Sequence, residues 1–147
     1  MVLIAFALSA PVPAGGQGFK AQCVGGTLAG VAPKSSARLD LTGPEALVFA
    51  CGKTEFHIAY KKIGAVEYGQ HVSRRYAAAV LISPMLLLAK ERRHYVTLAF
   101  VDERDAQQAI VFRVDKGDIR SVLASLEART GRRVEYQDDE ARKGGKG

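Results

Sequence analysis

Tryptophan is absent from this 147-residue chain, and aromatic residues make up only 7% of it. That scarcity argues against a stacking platform for single-stranded nucleic acid, and no nucleic-acid partner is expected. Metal-binding patterns are missing too. There are only two cysteines, Cys23 and Cys51, and three histidines, His57, His71 and His94. They form no C-x-x-C, no H-E-x-x-H and no pair at i, i+4, so no metal is expected. No G-x-S-x-G is present, and nothing in the sequence places a histidine beside a serine or cysteine nucleophile. The glycine-rich stretch "GGQGFK" and the pair Gly25-Gly26 lack both the spacing of a phosphate-binding loop and its Gly-Lys-Ser/Thr ending. Asp102, Glu103 and Asp105 fall in an expected hairpin turn, where solvated carboxylates are ordinary. The sequence therefore predicts no enzyme and no cofactor.

What is present is the composition of a globular protein, with hydrophobic residues at 48% and charged residues at 24%. The length suits one domain with its own core. Lys and Arg number 21 against 15 Asp and Glu, a formal charge of +6, which favours acidic partners.

The chain opens "MVLIAFALSAPVPAGGQ". Val2–Ala10 has the length of a signal-peptide apolar block, and Val12-Pro13-Ala14 carries small residues where a signal peptidase cuts. No Lys or Arg precedes the block. The expectation is a signal peptide over residues 1–14 and a linker over 15–24, giving a periplasmic or extracellular protein. Cys23 and Cys51 fit that weakly: a disulfide between them is one reading, and two unrelated buried thiols the other.

Alternating apolar residues mark strands along the middle of the chain. "TLAGVA" reads as a short strand, then "ARLDL" and "ALVFA" read as a hairpin joined by "TGPE". "TEFHIAY" places Phe56, Ile58 and Tyr60 on one face and Glu55, His57 and Ala59 on the other. "IGAVEYG" alternates less cleanly. "YVTLAFVD" and "QAIVFRVD", joined by a polar turn, form the strongest hairpin signal. In "DIRSVLASLEARTG", Ile119, Val122, Leu123 and Leu126 fall on one helical stripe. Asp118 suits the N-cap, Gly131 suits the position past the C-terminus, and Arg129 sits near the negative end of the dipole. "RRVEYQ" reads as a short edge strand, and residues 137–147 as a disordered charged tail.

These elements, "LDLTGPEALVFAC", "FHIAYKKIGAVEYG", "YVTLAFVD", "QAIVFRVD" and the helix at 118–130, resemble the bacterial pleckstrin-homology-like and GRAM-like domains. The resemblance covers roughly residues 25–136. It implies an α+β, mainly β fold: a seven-stranded antiparallel barrel capped by a C-terminal amphipathic helix. Phosphoinositide-binding members gather basic residues around the loop between their first two strands. Here that loop is "APKSSAR", with Lys34 and Arg38 as weak candidates.

One stretch stands outside the pattern: "RRYAAAVLISPMLLLAKERRHY", residues 74–95. Alanine, leucine and methionine favour helix, and Ser83-Pro84 is a favourable helix start, so a broken helical insert over about 73–92 is expected. As one straight helix its apolar part would reach about 20 Å, short of the roughly 30 Å of a bilayer core. Burial of its large apolar side chains is worth on the order of 10–20 kcal/mol gross, so they need cover. Packing on the barrel or self-association would supply it. So would a dip into an anionic membrane surface, with Arg74, Arg75, Lys90, Arg92 and Arg93 at the headgroups and Leu81, Leu86, Leu87 and Leu88 below. The sequence reading is a non-catalytic exported binding module that docks a protein or an envelope surface through these residues. A dimerising structural protein and a peripheral membrane binder are the alternatives.

Overall fold

The computed structural model describes residues 18–71 and 93–146. The fold is α+β and mainly β. Strands β1 (Phe19–Gly26), β2 (Ser36–Asp40), β3 (Ala46–Cys51) and β4 (Thr54–Ala59) form a meander. A 3-10 turn (Tyr60–Lys62) leads to β5 (Ile63–Gly69), β6 (His94–Val101) and β7 (Gln107–Val114), a second meander. Helix α1 (Ile119–Thr130), the two-residue β8 (Glu135–Tyr136) and helix α2 (Asp139–Lys146) complete the chain. β1 pairs antiparallel with β7 and joins the two meanders into one sheet, ordered β4-β3-β2-β1-β7-β6-β5-β8.

The expectation of a seven-stranded, wholly antiparallel barrel is corrected on two points. The short edge strand expected in "RRVEYQ" joins the sheet as an eighth strand, and it is parallel: β8 pairs Glu135 with Glu67 and Tyr136 with Tyr68 of β5. The sheet is also open, its ladder running from β4 to β8 without closing. At the β4 end the chain leaves the ladder through the 3-10 turn, where the Tyr60 N–H still donates to Glu45 O (2.9 Å).

β1 lies upstream of its expected place. The expected linker holds its first residues, and "TLAGVA" is a loop in which Gly30 takes φ +93°, outside strand geometry. Phe19 and Ala21 pack against the core and Cys23 is buried in it, so this strand does alternate. Cys23 and Cys51 are disulfide-bonded, tying β1 to β3 across the start of β2 with a Cα–Cα distance of 6.3 Å.

The core fills with one side of every long strand: Leu39, Leu47, Phe49, Ile58, Val66, Tyr68, Leu98, Ile110 and Phe112 are all buried. Ile119, Val122, Leu123 and Leu126 of α1 face into it, as their spacing predicts. Gly131 ends the helix in the left-handed conformation, its N–H donating to Glu127 O (3.0 Å). Asp118 holds the N-cap position but makes no side-chain capping bond, contrary to the expectation from sequence. The centre of the sheet is buried on its other face as well, at Tyr95, Thr97, Ala109 and Val111.

The tail expected to be disordered is helical over Asp139–Lys146. Asp138 accepts from the Ala141 N–H (2.7 Å) as an N-terminal cap, and Ala141 is fully buried against the core cluster. With no large apolar residue in the segment, small ones make the contact.

Candidate functional site

The site is built where three chain turns meet at one end of the strands. β6 pairs with β7 so that His94 stands opposite Val114. That register places Arg93, just before β6, beside the β7–α1 turn that carries Lys116. Arg93 N–H donates to Gln70 O (3.2 Å), which brings in the end of β5. In the turn, the Asp118 and Ile119 N–H groups both donate to Asp115 O (3.0 and 3.1 Å), starting α1 so that Arg120 falls in its first turn. The space between these elements is a cleft of about 820 Å³, lined among the described residues by Gln70, Arg93, His94, Lys116, Gly117, Arg120 and Gly144. Among the described residues, a Cβ at Gly117 would meet no atom within 4 Å.

Three permanent cations line the cleft, and none of its described lining residues is acidic. The α1 N-terminus, without a side-chain cap, adds its partial positive charge. Facing groups of one sign around a concave surface concentrate potential and attract anions.

His94 adds a neutral donor. Its Nδ1 lies 2.6 Å from the Tyr68 hydroxyl, and the rings stack with centroids 5.9 Å apart and planes 9° from parallel. Burial, and then the charge of Lys116, hold His94 below the ordinary histidine pKa, so the ring is favoured neutral. Burial pushes the Tyr68 phenol up, with Tyr136 and Asp138 adding to the effect, so it keeps its proton. With the phenol as donor to Nδ1, the imidazole proton sits on Nε2, where His94 can offer it to the cleft.

Of the residues singled out from sequence, Arg93 belongs to this cleft. Arg74, Arg75, Leu81, Leu86, Leu87, Leu88, Lys90 and Arg92 lie outside the described residues, as do the expected signal peptide and the whole of the expected insert. Lys34 and Arg38 do not line it. Lys34 sits in the β1–β2 loop at φ 68°, its N–H bonded to Cys23 O (2.8 Å), and Arg38 stands in β2 opposite Lys20. His57 is solvent-exposed beside Glu55 (2.8 Å), and Asp102 serves its hairpin turn, accepting from the Arg104 and Ala106 N–H groups. His71 is exposed, and its carbonyl accepts from Gln137. Among the described residues no group of three His, Cys, Asp or Glu gathers, and no helix is long and apolar enough to cross a membrane.

Sequence reasoning missed Lys116, Arg120 and Tyr68. Two basic residues straddling a helix start were a readable signal; their convergence with Arg93, from the far side of a hairpin, was not.

No family model matches the chain, and no curated protein matches its sequence.

Proposed function

We propose that the protein is a non-catalytic, exported binding module with a pleckstrin-homology-like fold, and that its basic cleft receives the anionic group of a partner. The observation that carries this is the convergence of Arg93, Lys116 and Arg120 around a cleft with no carboxylate among its described lining. Two antiparallel meanders followed by a helix with a buried apolar stripe support the fold reading. The Cys23–Cys51 disulfide supports export. The cleft lies where the chain enters and leaves residues 72–92, a stretch whose sequence carries the further basic residues Arg74, Arg75, Lys90 and Arg92. Docking of a protein or an envelope surface by those residues, or of an anionic bilayer, follows the same electrostatics.

The test is titration of isotope-labelled protein with inorganic pyrophosphate, alongside flotation with vesicles containing an anionic phospholipid. Amide shifts centred on His94, Lys116, Gly117 and Arg120, lost in Lys116→Glu/Arg120→Glu, are expected. Flotation in addition to those shifts assigns the anion to a lipid headgroup; shifts alone assign a free or protein-borne anion. No saturable shift at these residues and no flotation overturns the proposal.

A further inference from the structure

We infer that β4 is a dimerisation edge, at which a second copy of this chain adds its own β4 antiparallel to extend the sheet. β4 ends the ladder, and among the described residues no strand pairs with its outer side. The hydrogen-bond phase of that edge can be worked out. The two-residue loop Gly52-Lys53 closes on the Cys51–Thr54 pair, and Tyr60 N–H bonds back to Glu45 O. Even-numbered residues of β4 are thus bonded inward to β3, and the backbone groups of Glu55, His57 and Ala59 point outward.

Only registers that pair outward-pointing residues with one another can form hydrogen bonds across the two-fold axis. A register centred on Glu55 sets the two Glu55 carboxylates face to face. Centring on His57 pairs the two imidazoles and leaves Glu55 opposite Ala59. Centring on Phe56 pairs each Glu55 with the other copy's His57, stacks Phe56 against its own copy and sets Thr54 against Ile58. Glu55 and His57 already bond to each other within one chain (2.8 Å), so these side chains have the reach and chemistry to bond across the seam. An imidazole N–H directly across an antiparallel pair from a carboxylate can donate to it, whereas two facing carboxylates repel. The edge is therefore self-complementary in one register, unlike edges whose charges repel a second copy.

A groove of about 310 Å³ runs beside this edge, with Leu28, Phe56, Ile58 and Phe100 among its lining. It offers apolar cover to the incoming Phe56, which is only partly buried in its own copy.

The full chain in sedimentation equilibrium across the micromolar range tests this. A reversible dimer is expected. His57→Pro removes an outward N–H that bonds to nothing in β3, which an edge strand tolerates. It should weaken dimerisation about thirtyfold, the loss of two symmetry-related hydrogen bonds. The swap Glu55→His/His57→Glu keeps the cross-strand pair and should stay within about threefold of wild type. Under mild oxidation Phe56→Cys should give a covalent dimer, because position 56 meets itself, while Thr54→Cys should not. A monomer throughout, or a dimer indifferent to both His57→Pro and the position of the introduced cysteine, overturns the inference. The first result leaves the groove to another chain's strand, and the second puts the seam elsewhere.

Discussion

The Tyr68 hydroxyl stands 2.6 Å from Nδ1 of His94, and this bond links the buried core to the basic cleft. Tyr68 is fully buried while His94 lines the cleft, so a core residue holds an imidazole of the site.

Titration of His94 reads the cleft directly. Burial is the first cause of its lowered pKa and Lys116 the second, so Lys116→Met should raise the value yet leave it below the ordinary 6.5. Pyrophosphate in the cleft should raise it too. The sign for stability follows from proton counting. Between the lowered folded value and the unfolded value, the unfolded chain binds more protons, so stability falls as pH falls through that window. Below the folded value the loss from this group stops growing. Proton NMR of the imidazole against pH, with urea unfolding at matched pH, checks both. A His94 value unmoved by Lys116→Met would refute the electrostatic account.

Two buried tyrosines should respond in opposite ways to loss of the hydroxyl. Tyr60 Oη is buried with no hydrogen-bond partner among the described residues, whereas Tyr68 Oη is bonded to His94. Tyr60→Phe removes an unsatisfied group and keeps the ring, including its position 6.0 Å from the Arg129 guanidinium. It should leave stability unchanged or raise it by up to about 1 kcal/mol, while Tyr68→Phe should lower it by about 1–2 kcal/mol. Urea midpoints of the two variants decide. Equal losses would mean that the Tyr60 hydroxyl has a partner.

The disulfide makes a prediction about compartment. Cys23 and Cys51 are separated by 28 residues, and cross-linking such a loop stabilises by about 3–4 kcal/mol on chain-entropy grounds. Urea unfolding with and without reductant should show that loss, and Cys23→Ala/Cys51→Ala should reproduce it without reductant. A midpoint insensitive to reductant would remove the argument from these cysteines to an oxidising compartment.

Most of the sheet was legible because period-2 alternation is a local signal: Phe56, Ile58 and Tyr60 face inward or pack on the core, and Glu55 and His57 face water, as their spacing says. The α1 stripe was legible for the same reason. What escaped depends on partners distant in sequence. Val24 and Gly25 blur the alternation of β1 because the strand bulges there against β7. The short edge strand in "RRVEYQ" stands as β8, but its parallel pairing was not legible, because that depends on where Gly131 turns the chain. The cleft escaped because its cations come from separate turns, and charge on a turn residue ordinarily means solvent.

The last helix is the element least expected from composition, and its glycines explain it. A Cβ at Gly145 would lie 2.6 Å from Cε1 of Tyr136 and 3.2 Å from Cδ1 of Leu123, and one at Gly144 would lie 3.0 Å from the Tyr68 hydroxyl. Tyr136 in turn packs edge-on against Tyr68, with centroids 5.9 Å apart and planes at 79°. α2 thus docks by lacking side chains on one face, which lets its backbone approach the rings that support His94. Gly145→Val should force Tyr136 or α2 to move, lowering stability by about 1–3 kcal/mol. Amide exchange over residues 139–146 should quicken, and the His94 resonances should shift because Gly144 also lines the cleft. Lys143→Val, at an exposed position of the same helix, should do neither. If both substitutions loosen α2 alike, helix propensity and not close approach holds it, and its coupling to the cleft falls.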